Sequence, residues 1–332
     1  MGKLDYMVTY EKLSRRPQAA SSLIGMTLEA FDQLYAEFAV VHGERLANLS
    51  VTRRKGAPRQ RAVGAGGKHR YDLRDRLLMT LFWLRVYTTY EVMGFFYELN
   101  KTNIEDNLKD ILATLDGMTT FTYDRPEPGR KKLHSVAEVM DAFPDVRLVI
   151  DAKEQRIERP KAKKDGQGKP QDRQKPYYSG KKKTHTLKNQ IAVRPDGLIE
   201  AVSESVPGGQ THDLTLLRQT DLLRQLDEDE AAMLDKGYDG VQNDYPDKRL
   251  YLPFKARRNH PLTEEQKAYN RFLARYRILV EHTLACVNRF QVLRQMYRHQ
   301  RDEHTRIVRI VAGLVNRRIR EKPLKVYGPA MA

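Results

Sequence analysis

Two short apolar runs that each end in an aspartate most constrain the fold of this chain. The first run, RLVI, ends at Asp151, and the second, AAML, ends at Asp235, where the turn residues KGYDG follow. Short apolar runs bounded by turn residues are typical of buried strands. We therefore expect each aspartate to close a buried strand, and two neighbouring strand ends would hold the carboxylates close together.

A third acidic residue, Glu281, lies in a long helical pattern, RFLARYRILVEHTLACVNRF. A helix packed on the sheet would bring its carboxylate across to the two aspartates. Oxygen ligands suit Mg²⁺, which proteins usually hold by one or two carboxylates together with substrate phosphates. Two such ions, about 3.5–4 Å apart, can stabilise both the attacking and the leaving oxygen of an in-line displacement. The three residues therefore form a candidate site for a pair of divalent metal ions.

Each of these acidic residues also has a simpler interpretation. An aspartate at a strand end is commonly a turn residue or a helix cap, and Glu281 can form a helical ion pair with Arg277, four residues earlier. Residue by residue the simpler interpretation is favoured. The combination of three carboxylates with a strongly basic chain shifts the balance toward chemistry on nucleic-acid phosphodiesters.

The charge of the chain favours a polyanionic partner. Lys and Arg number 59 against 43 Asp and Glu, a formal net charge of +16, and each neutralised phosphate releases counterions. An anionic membrane would also attract such a chain, but no apolar run approaches the ~20 residues that span a bilayer. The single cysteine, Cys286, cannot form an intrachain disulfide. We expect a soluble protein of a reducing compartment, with no membrane partner.

The first half of the chain has a helical pattern interrupted by a basic segment. Residues 1–50 predict a helical region, with Thr27 as a candidate N-cap. Residues 51–70 are Gly-rich and basic and predict a linker, either a solvated loop or an arm that lies along DNA. The basic side chains of this arm that we expect at the DNA are Arg53, Arg54, Lys55, Arg59 and Arg61.

Residues 71–120 carry three predicted helices separated by short breaks, with Thr88 or Thr89 and Thr102 as candidate N-caps. Helix, helix, tight turn and helix form the trihelical helix-turn-helix pattern of DNA-binding regions. The last helix, TNIEDNLKDILATL, contains few basic residues. A helical packing or dimerisation module is therefore about equally favoured.

Residues 140–325 predict a mixed α/β domain, because strand patterns come first and helical patterns follow. A basic insertion at 153–183 interrupts the strands, and the turn Pro195-Asp196-Gly197 joins two of them. Within the insertion, Tyr177 and Tyr178 are candidates for stacking on an unpaired base. Ordinary packing at a strand edge is the alternative for both tyrosines.

Four segments in this order resemble the DDE-type transposases, specifically the IS5-like, Harbinger-related group. VIDAKEQRIERP resembles the first-aspartate motif, YSGKKKTHTLKNQIAVRPDG the segment after the basic insertion, and LDKGYDG the second-aspartate motif. RYRILVEHTLACVNRFQVLRQMYR resembles the helix that carries the glutamate. The preceding RAVGAGGKHRYDLRDRLLMTLFWLRVYTTYEVMGFF is similar to the helix-turn-helix segment of the same proteins.

The resemblance implies an RNase H-like core preceded by an all-α helix-turn-helix region. It implies that Asp151, Asp235 and Glu281 are the catalytic triad and the ligands of two Mg²⁺ or Mn²⁺ ions. The implied activity is cleavage of double-stranded DNA at transposon ends and transfer of the 3′ ends to target DNA. The implied assembly is a homodimer or higher oligomer on DNA, in the bacterial cytoplasm and associated with the nucleoid.

The resemblance also suggests residues around the triad. His212, in GGQTHDL, matches a family segment and receives a supporting role only, while Asp213 or Thr211 is expected as a plain N-cap. The further basic residues expected at the DNA are Lys181, Lys182, Lys183, Lys188, Lys236, Arg277 and Arg289.

Three residues depart from the family pattern. Ala152 replaces a usual Gly, Ala274 replaces a frequent Tyr, and Asn288 replaces a basic residue whose phosphate contact Arg289 could take over. None of the three changes is at a carboxylate, so an active enzyme is the favoured interpretation. A domesticated, cleavage-deficient DNA-binding protein and a metal-dependent nuclease without strand transfer are the alternatives.

Overall fold

The protein is represented by a computed structural model that describes residues 8–53, 69–119, 145–161, 163–164, 170–171, 174–256, 258 and 260–322. Contacts within the chain divide it into two compact units. The first comprises Met1–Thr120 and Arg289–Val292, and the second comprises Phe121–Asn288 and Leu293–Ala332.

The first unit contains six α-helices in its described residues: α1 (Tyr10–Ser14), α2 (Ala20–Leu23), α3 (Leu28–Arg53), α4 (Leu73–Val86), α5 (Tyr90–Tyr97) and α6 (Lys101–Met118). Side-chain caps set where several of them begin. Thr27 accepts from the backbone N–H of Ala30 at 3.2 Å, which confirms it as the cap of α3. Thr89 caps α5. Asn100 caps α6, so the prediction of Thr102 is wrong, because the helix has already begun there.

A polar cluster joins α3, α4 and α6. Asp110 accepts hydrogen bonds from Arg45 and Arg76, and His42 Nδ1 lies 2.9 Å from Thr114 Oγ1. Removing one partner of a buried ion pair leaves the other charge without a counter-charge, which is costly. The cluster therefore stabilises the packing of the three helices. The all-helical character predicted for this region is confirmed, whereas its helix-turn-helix role stays a prediction. α3 extends three residues into the segment predicted as the basic arm.

The second unit is built on a mixed β-sheet. Its strands are β1 (Val146–Arg156), β4 (Tyr178–Ser179), β5 (Thr184–Val193), β6 (Ile199–Val202), β7 (Val206–Pro207), β8 (Ala231–Leu234) and β9 (Arg249–Tyr251). The order is β4-β5-β1-β8-β9, and both β6 and β7 also pair with β5. β1 is antiparallel to β5 and parallel to β8. Inside the basic insertion, β2 (Lys163–Lys164) and β3 (Pro170–Gln171) form a separate two-stranded ribbon.

Helices flank this sheet, which confirms the predicted α/β class and agrees with the RNase H-like core expected. They are α7 (Asp213–Thr220), α8 (Val241–Asp244), α9 (Glu264–Asn288) and α11 (His304–Glu321), with 3₁₀ turns at Lys175–Tyr177, Leu222–Gln225, Lys236–Tyr238 and Arg301–Glu303. A short helix, α10 (Gln291–Arg294), is divided between the two units. The buried core includes Ile150, Leu217 and Tyr238. Within the described ranges, no helix is long and apolar enough to cross a bilayer.

Candidate active site

Asp151 and Asp235 follow directly on two paired parallel strand segments. β1 and β8 are in register with Ile150 opposite Leu234, so the next residue on each side is the aspartate. Residues that follow a paired position on two neighbouring parallel strands lie side by side, and backbone register therefore brings the two aspartates together. β8 ends at Leu234, as predicted, but β1 continues beyond Asp151 to Arg156 and pairs there with β5, so the prediction that Asp151 closes a strand is wrong.

The guanidinium of Arg277 joins the two aspartates. Its Nη1 donates to Asp235 Oδ1 at 2.8 Å, and its Nη2 lies 3.9 Å from Asp151 Oδ2. The Arg277 side chain is 17 % exposed, and its buried Nε has no hydrogen-bond partner among the described residues. A cation therefore lies between two carboxylates that would otherwise repel each other. Arg277 pairs across to the sheet rather than along its own helix with Glu281.

Burial dominates the titration of Asp151 and raises the pKa of its carboxyl above the usual aspartate value. The Arg277 charge opposes this rise, as does the backbone N–H of Ala152, which donates to Asp151 Oδ1 at 2.8 Å. The negative charges of Asp235 and Asp213 add to the rise in pKa. A bound cation would oppose the rise, because it favours the charged form of a carboxyl group.

Glu281 lies one helical turn beyond Arg277 on α9, so the two residues share a helix face. Its side chain is exposed, and it has no hydrogen bond or ion pair within the part of the chain that the structure describes. Those same residues contain no group of three or more His, Cys, Asp or Glu arranged to hold a metal ion. The structure thus joins Asp151 and Asp235 without gathering Glu281 into a cluster with them. The third catalytic carboxylate stays a prediction.

A second charged cluster surrounds Lys188 on β5. Its buried Nζ donates to Asp213 Oδ1 at 2.9 Å and to Thr211 O at 2.8 Å, and Glu154 Oε1 lies 3.7 Å away. His212 occupies the N-cap position of α7 without a side-chain hydrogen bond, and Asp213 is the first helical residue. The prediction that Asp213 or Thr211 caps this helix is therefore wrong, because the Asp213 carboxylate pairs with Lys188. Lys188 itself, expected at the DNA, is paired inside the unit.

The other basic residues expected at the DNA differ in their setting. Lys181, Lys182 and Lys183 form an exposed turn between β4 and β5, and Lys236 is exposed beside Asp235. Arg289 is also exposed, and its carbonyl accepts from Arg85 Nη1. The arm residues Arg54, Lys55, Arg59 and Arg61 lie outside the described residues, as does the side chain of Arg53. These DNA contacts and the supporting role of His212 stay predictions.

A cavity of about 610 Å³ opens beside the part of β1 that follows Asp151. The charged residues in its lining are Lys153, Glu154, Arg156, Lys181, Lys182, Lys188, Asp213 and Arg294. Burial, together with the charge of Lys182, lowers the pKa of Lys153 to about 8, and its Nζ donates to Leu293 O at 2.7 Å. Lys153 lies at the start of the predicted basic insertion, but it was not among the individual residues expected at the DNA. Its spacing from Asp151 was a usable signal, since residues two apart on a strand share a side.

Comparison with known proteins identifies the family. The sequence model of the family described as DDE superfamily endonuclease matches residues 150–316, which is half of the chain. This range contains Asp151, Asp235, Arg277 and Glu281. This chain belongs to the DDE superfamily endonucleases. One similar protein is the "Probable transposase for insertion sequence element IS702" of Microchaete diplosiphon, 28 % identical over 251 residues, which cover 76 % of this chain and 82 % of that protein. No solved structure matches significantly.

The resemblance to DDE-type transposases that the motifs predicted is thereby confirmed. The matched segment of this DDE endonuclease begins at Ile150, the last residue of β1 that pairs with β8, and ends within α11. It therefore includes the strands and the helix on which the predicted carboxylates lie.

Proposed function

We propose that this DDE endonuclease is an insertion-sequence transposase that binds the ends of its element, cuts the DNA there and joins the 3′ ends to target DNA. The observation that carries the proposal is the register of β1 and β8, which places Asp151 and Asp235 side by side. The similarity to a probable insertion-sequence transposase over most of both chains supports it.

Asp151, Asp235 and Glu281 would hold Mg²⁺ or Mn²⁺, the ions that the family implies. Their donor atoms are all carboxylate oxygens, which these ions prefer, whereas zinc favours nitrogen and sulfur. The position of Arg277 supports the fit, because both aspartates already stabilise a positive charge between them. When bound, two such ions supply electrostatic stabilisation to the attacking and leaving oxygens of a phosphodiester displacement.

Binding and orientation of the DNA fall to the basic side chains. The exposed lysines of the turn 181–183 and Lys236 would contact the strand backbone, which positions DNA without reading its sequence. The helical first unit and the arm at 51–70 would recognise the element ends. Because two ends are processed together, we expect a homodimer or a larger assembly on double-stranded DNA.

A strand-transfer assay tests the proposal. Sequencing of the DNA that flanks the coding region would supply the end sequence for a labelled duplex, which is mixed with the protein and a supercoiled target plasmid. We expect cleaved and joined products with Mg²⁺ or Mn²⁺. We expect none in EDTA or with Ca²⁺, whose larger and looser coordination suits binding better than in-line transfer.

Two outcomes of this assay would contradict the proposal. Specific binding of the ends without cleavage in any metal would indicate a cleavage-deficient DNA-binding protein. Cleavage without joined products, when a duplex with a free 3′-hydroxyl end is supplied, would indicate a nuclease that lacks strand transfer.

A further inference from the structure

The cavity that opens beside β1, hereafter the β1 cavity, includes Lys181 and Lys182 in its lining, but the space itself has not been given an occupant. Its acidic lining residues are already partnered inside the unit. Glu154 Oε2 accepts from Thr186 Oγ1 at 3.0 Å, and Asp213 Oδ1 accepts from Lys188 Nζ at 2.9 Å. The remaining charged groups around the β1 cavity are therefore cations.

Five cationic side chains other than Lys188 line the β1 cavity: Lys153, Arg156, Lys181, Lys182 and Arg294. Within the part of the chain that the structure describes, none of the five has a carboxylate partner. Lys153 is also held in place by its hydrogen bond to Leu293 O. Cations that converge on a concave space without counter-charges attract an anion, which relieves their mutual repulsion.

The size and walls of the β1 cavity suit more than a single phosphate ion. At about 610 Å³ it falls among pockets that hold small organic ligands, roughly 300–1,000 Å³. One wall is formed by Gly208 and Gly209, where the chain packs closely on its neighbours. A Cβ at Gly209 would lie 2.2 Å from Tyr178 O, and one at Gly208 would lie 2.1 Å from Thr186 Oγ1. The wall therefore consists of backbone atoms, and neither glycine can be replaced by a residue whose side chain would occupy the cavity.

We propose that the β1 cavity binds one unpaired nucleotide of the DNA strand, with its phosphate between Lys153 and Lys182. This inference rests on the proposed function, since it assumes a DNA substrate. A nucleotide that remains paired in a duplex cannot enter a concave pocket of this kind, so it must leave the base stack first. Uncharged polar residues for the sugar and base line the cavity at Ser179 and Thr211.

The position of the β1 cavity fits a nucleotide close to the site of cleavage. Lys153 lies two residues beyond Asp151 on the same side of β1, which is about 7 Å further along the strand. The nucleotide in the pocket would therefore lie next to the phosphodiester that faces the carboxylates. By holding it, the protein would set which bond of the strand is presented to Asp151 and Asp235.

Binding of a fluorescein-labelled, single-stranded tetranucleotide to the full-length protein in EDTA tests the proposal, because cleavage is then excluded. The variants are Lys182→Gln and Lys153→Gln. The matched control is Lys267→Gln, which removes the same charge from an exposed position of α9 that does not line the cavity and has no proposed contact with DNA. We expect the first two to weaken binding about tenfold, the loss of one charge-assisted contact, and the control less than about twofold.

Competition experiments separate the possible sources of the anion. Deoxyadenosine monophosphate should displace the tetranucleotide at a lower concentration than inorganic phosphate does. Equal competition by the two would overturn a nucleotide pocket, because sugar and base would then contribute nothing. Equal weakening by all three substitutions would also overturn it, since only the charge of the surface would matter.

Two further measurements keep the test decisive. Thermal melting checks that Lys153→Gln is folded. Lys182 lies on an exposed turn, so Lys182→Gln can test the pocket by itself if Lys153→Gln does not fold. If the unchanged protein cuts and joins DNA but both pocket variants bind the tetranucleotide normally, the pocket is wrong and the proposed function stands. If the protein never cuts DNA but the pocket variants behave as expected, the proposed function fails while the nucleotide site remains.

Discussion

The two sides of the candidate active site are built by different means. On the sheet side, Asp151 and Asp235 are placed by backbone register, because each follows a buried residue of the paired strands β1 and β8. On the helix side, Glu281 is exposed and has no partner among the described residues, whereas Arg277, one turn earlier, contacts both aspartates. Backbone hydrogen bonds thus position the two aspartates, and the Arg277 guanidinium links their carboxylates to α9.

The fold by itself therefore determines the positions of the two aspartates, whereas a bound cation would be needed to bring Glu281 to them. A pair of adjacent aspartates on the sheet exists whether or not a metal is present. We expect the place of Glu281 to depend on how α9 responds when a bound cation competes with the Arg277 guanidinium for the two aspartates. Substitutions on the two sides should therefore have different effects on activity and on stability.

The largest effect is expected on the sheet side. Asp151→Asn and Asp235→Asn should each reduce cleavage by on the order of 10³-fold or more while end binding in Ca²⁺ is retained, because basic residues supply the affinity. Asp239→Asn is the matched control, since Asp239 is exposed in the same turn and pairs only with Lys255 among the described residues. Gel-shift and cleavage assays measure the two effects. Cleavage by Asp235→Asn at the wild-type rate would contradict the assignment of Asp235 to the active site.

On the helix side, Glu281→Gln should reduce cleavage by about 10²-fold or more without a measurable change in stability. An exposed side chain with no partner typically contributes less than about 0.5 kcal/mol to folding. Glu265→Gln, exposed in the first turn of the same helix, should leave both quantities unchanged. Urea unfolding in EDTA and cleavage rates in Mg²⁺ are the measurements. Full cleavage activity of Glu281→Gln would show that this glutamate is not part of the helix side of the active site.

The sequence predicted the sheet side well because the information there is local. An apolar run, an aspartate and turn residues identified the end of β8 at Asp235, and the same reasoning located the turn at Gly197, whose φ is 87°. No turn residue follows Asp151, and β1 continues past it to Arg156. The contact between Arg277 and Asp235 joins residues 42 positions apart, and that between Lys153 and Leu293 joins residues 140 apart. Such pairings depend on how helices pack on the sheet. This is why the pairing of Lys188 with Asp213 and the β1 cavity were not predicted.

A substitution of Arg277 tests the connection between the two sides directly. Arg277→Gln leaves two adjacent carboxylates without a counter-charge, so in EDTA we expect the free energy of unfolding to fall by about 2–3 kcal/mol. Mg²⁺ or Mn²⁺ should restore more stability to this variant than it adds to the unchanged protein, because the ion replaces the missing positive charge. Thermal melting with and without metal measures both. Arg271→Gln, an exposed arginine of the same helix, is the control.

An equal stabilisation of Arg277→Gln and the unchanged protein by metal would contradict this account. It would mean that the guanidinium and the ion do not share the same pair of carboxylates. A loss of stability in Arg271→Gln as large as in Arg277→Gln would likewise assign the effect to the helix rather than to the contact with the sheet.

The smallest effect concerns the anchoring of β1 beyond the carboxylates. His304 of α11 is buried, with its Nε2 2.8 Å from Gln155 Oε1 and its Nδ1 2.7 Å from Ser205 Oγ. Burial, with the charge of Lys153, lowers the pKa of His304 to about 3. A histidine in the unfolded chain titrates near ~6.5, so the unfolded state takes up the proton first as the pH falls. The stability that the neutral ring contributes is therefore complete above about pH 6.5 and is lost progressively below it.

Between pH 7 and pH 5 this loss should be on the order of 1–2 kcal/mol in the free energy of unfolding by urea. His304→Gln should be less stable than the unchanged protein at pH 7, and the difference should shrink as the pH falls, because glutamine takes up no proton. His260→Gln, an exposed histidine, should leave the pH dependence unchanged. If His304→Gln keeps the full pH dependence, β1 is not held through this histidine. The rigidity that distinguishes the sheet side from the helix side would then rest on the strand ladder alone.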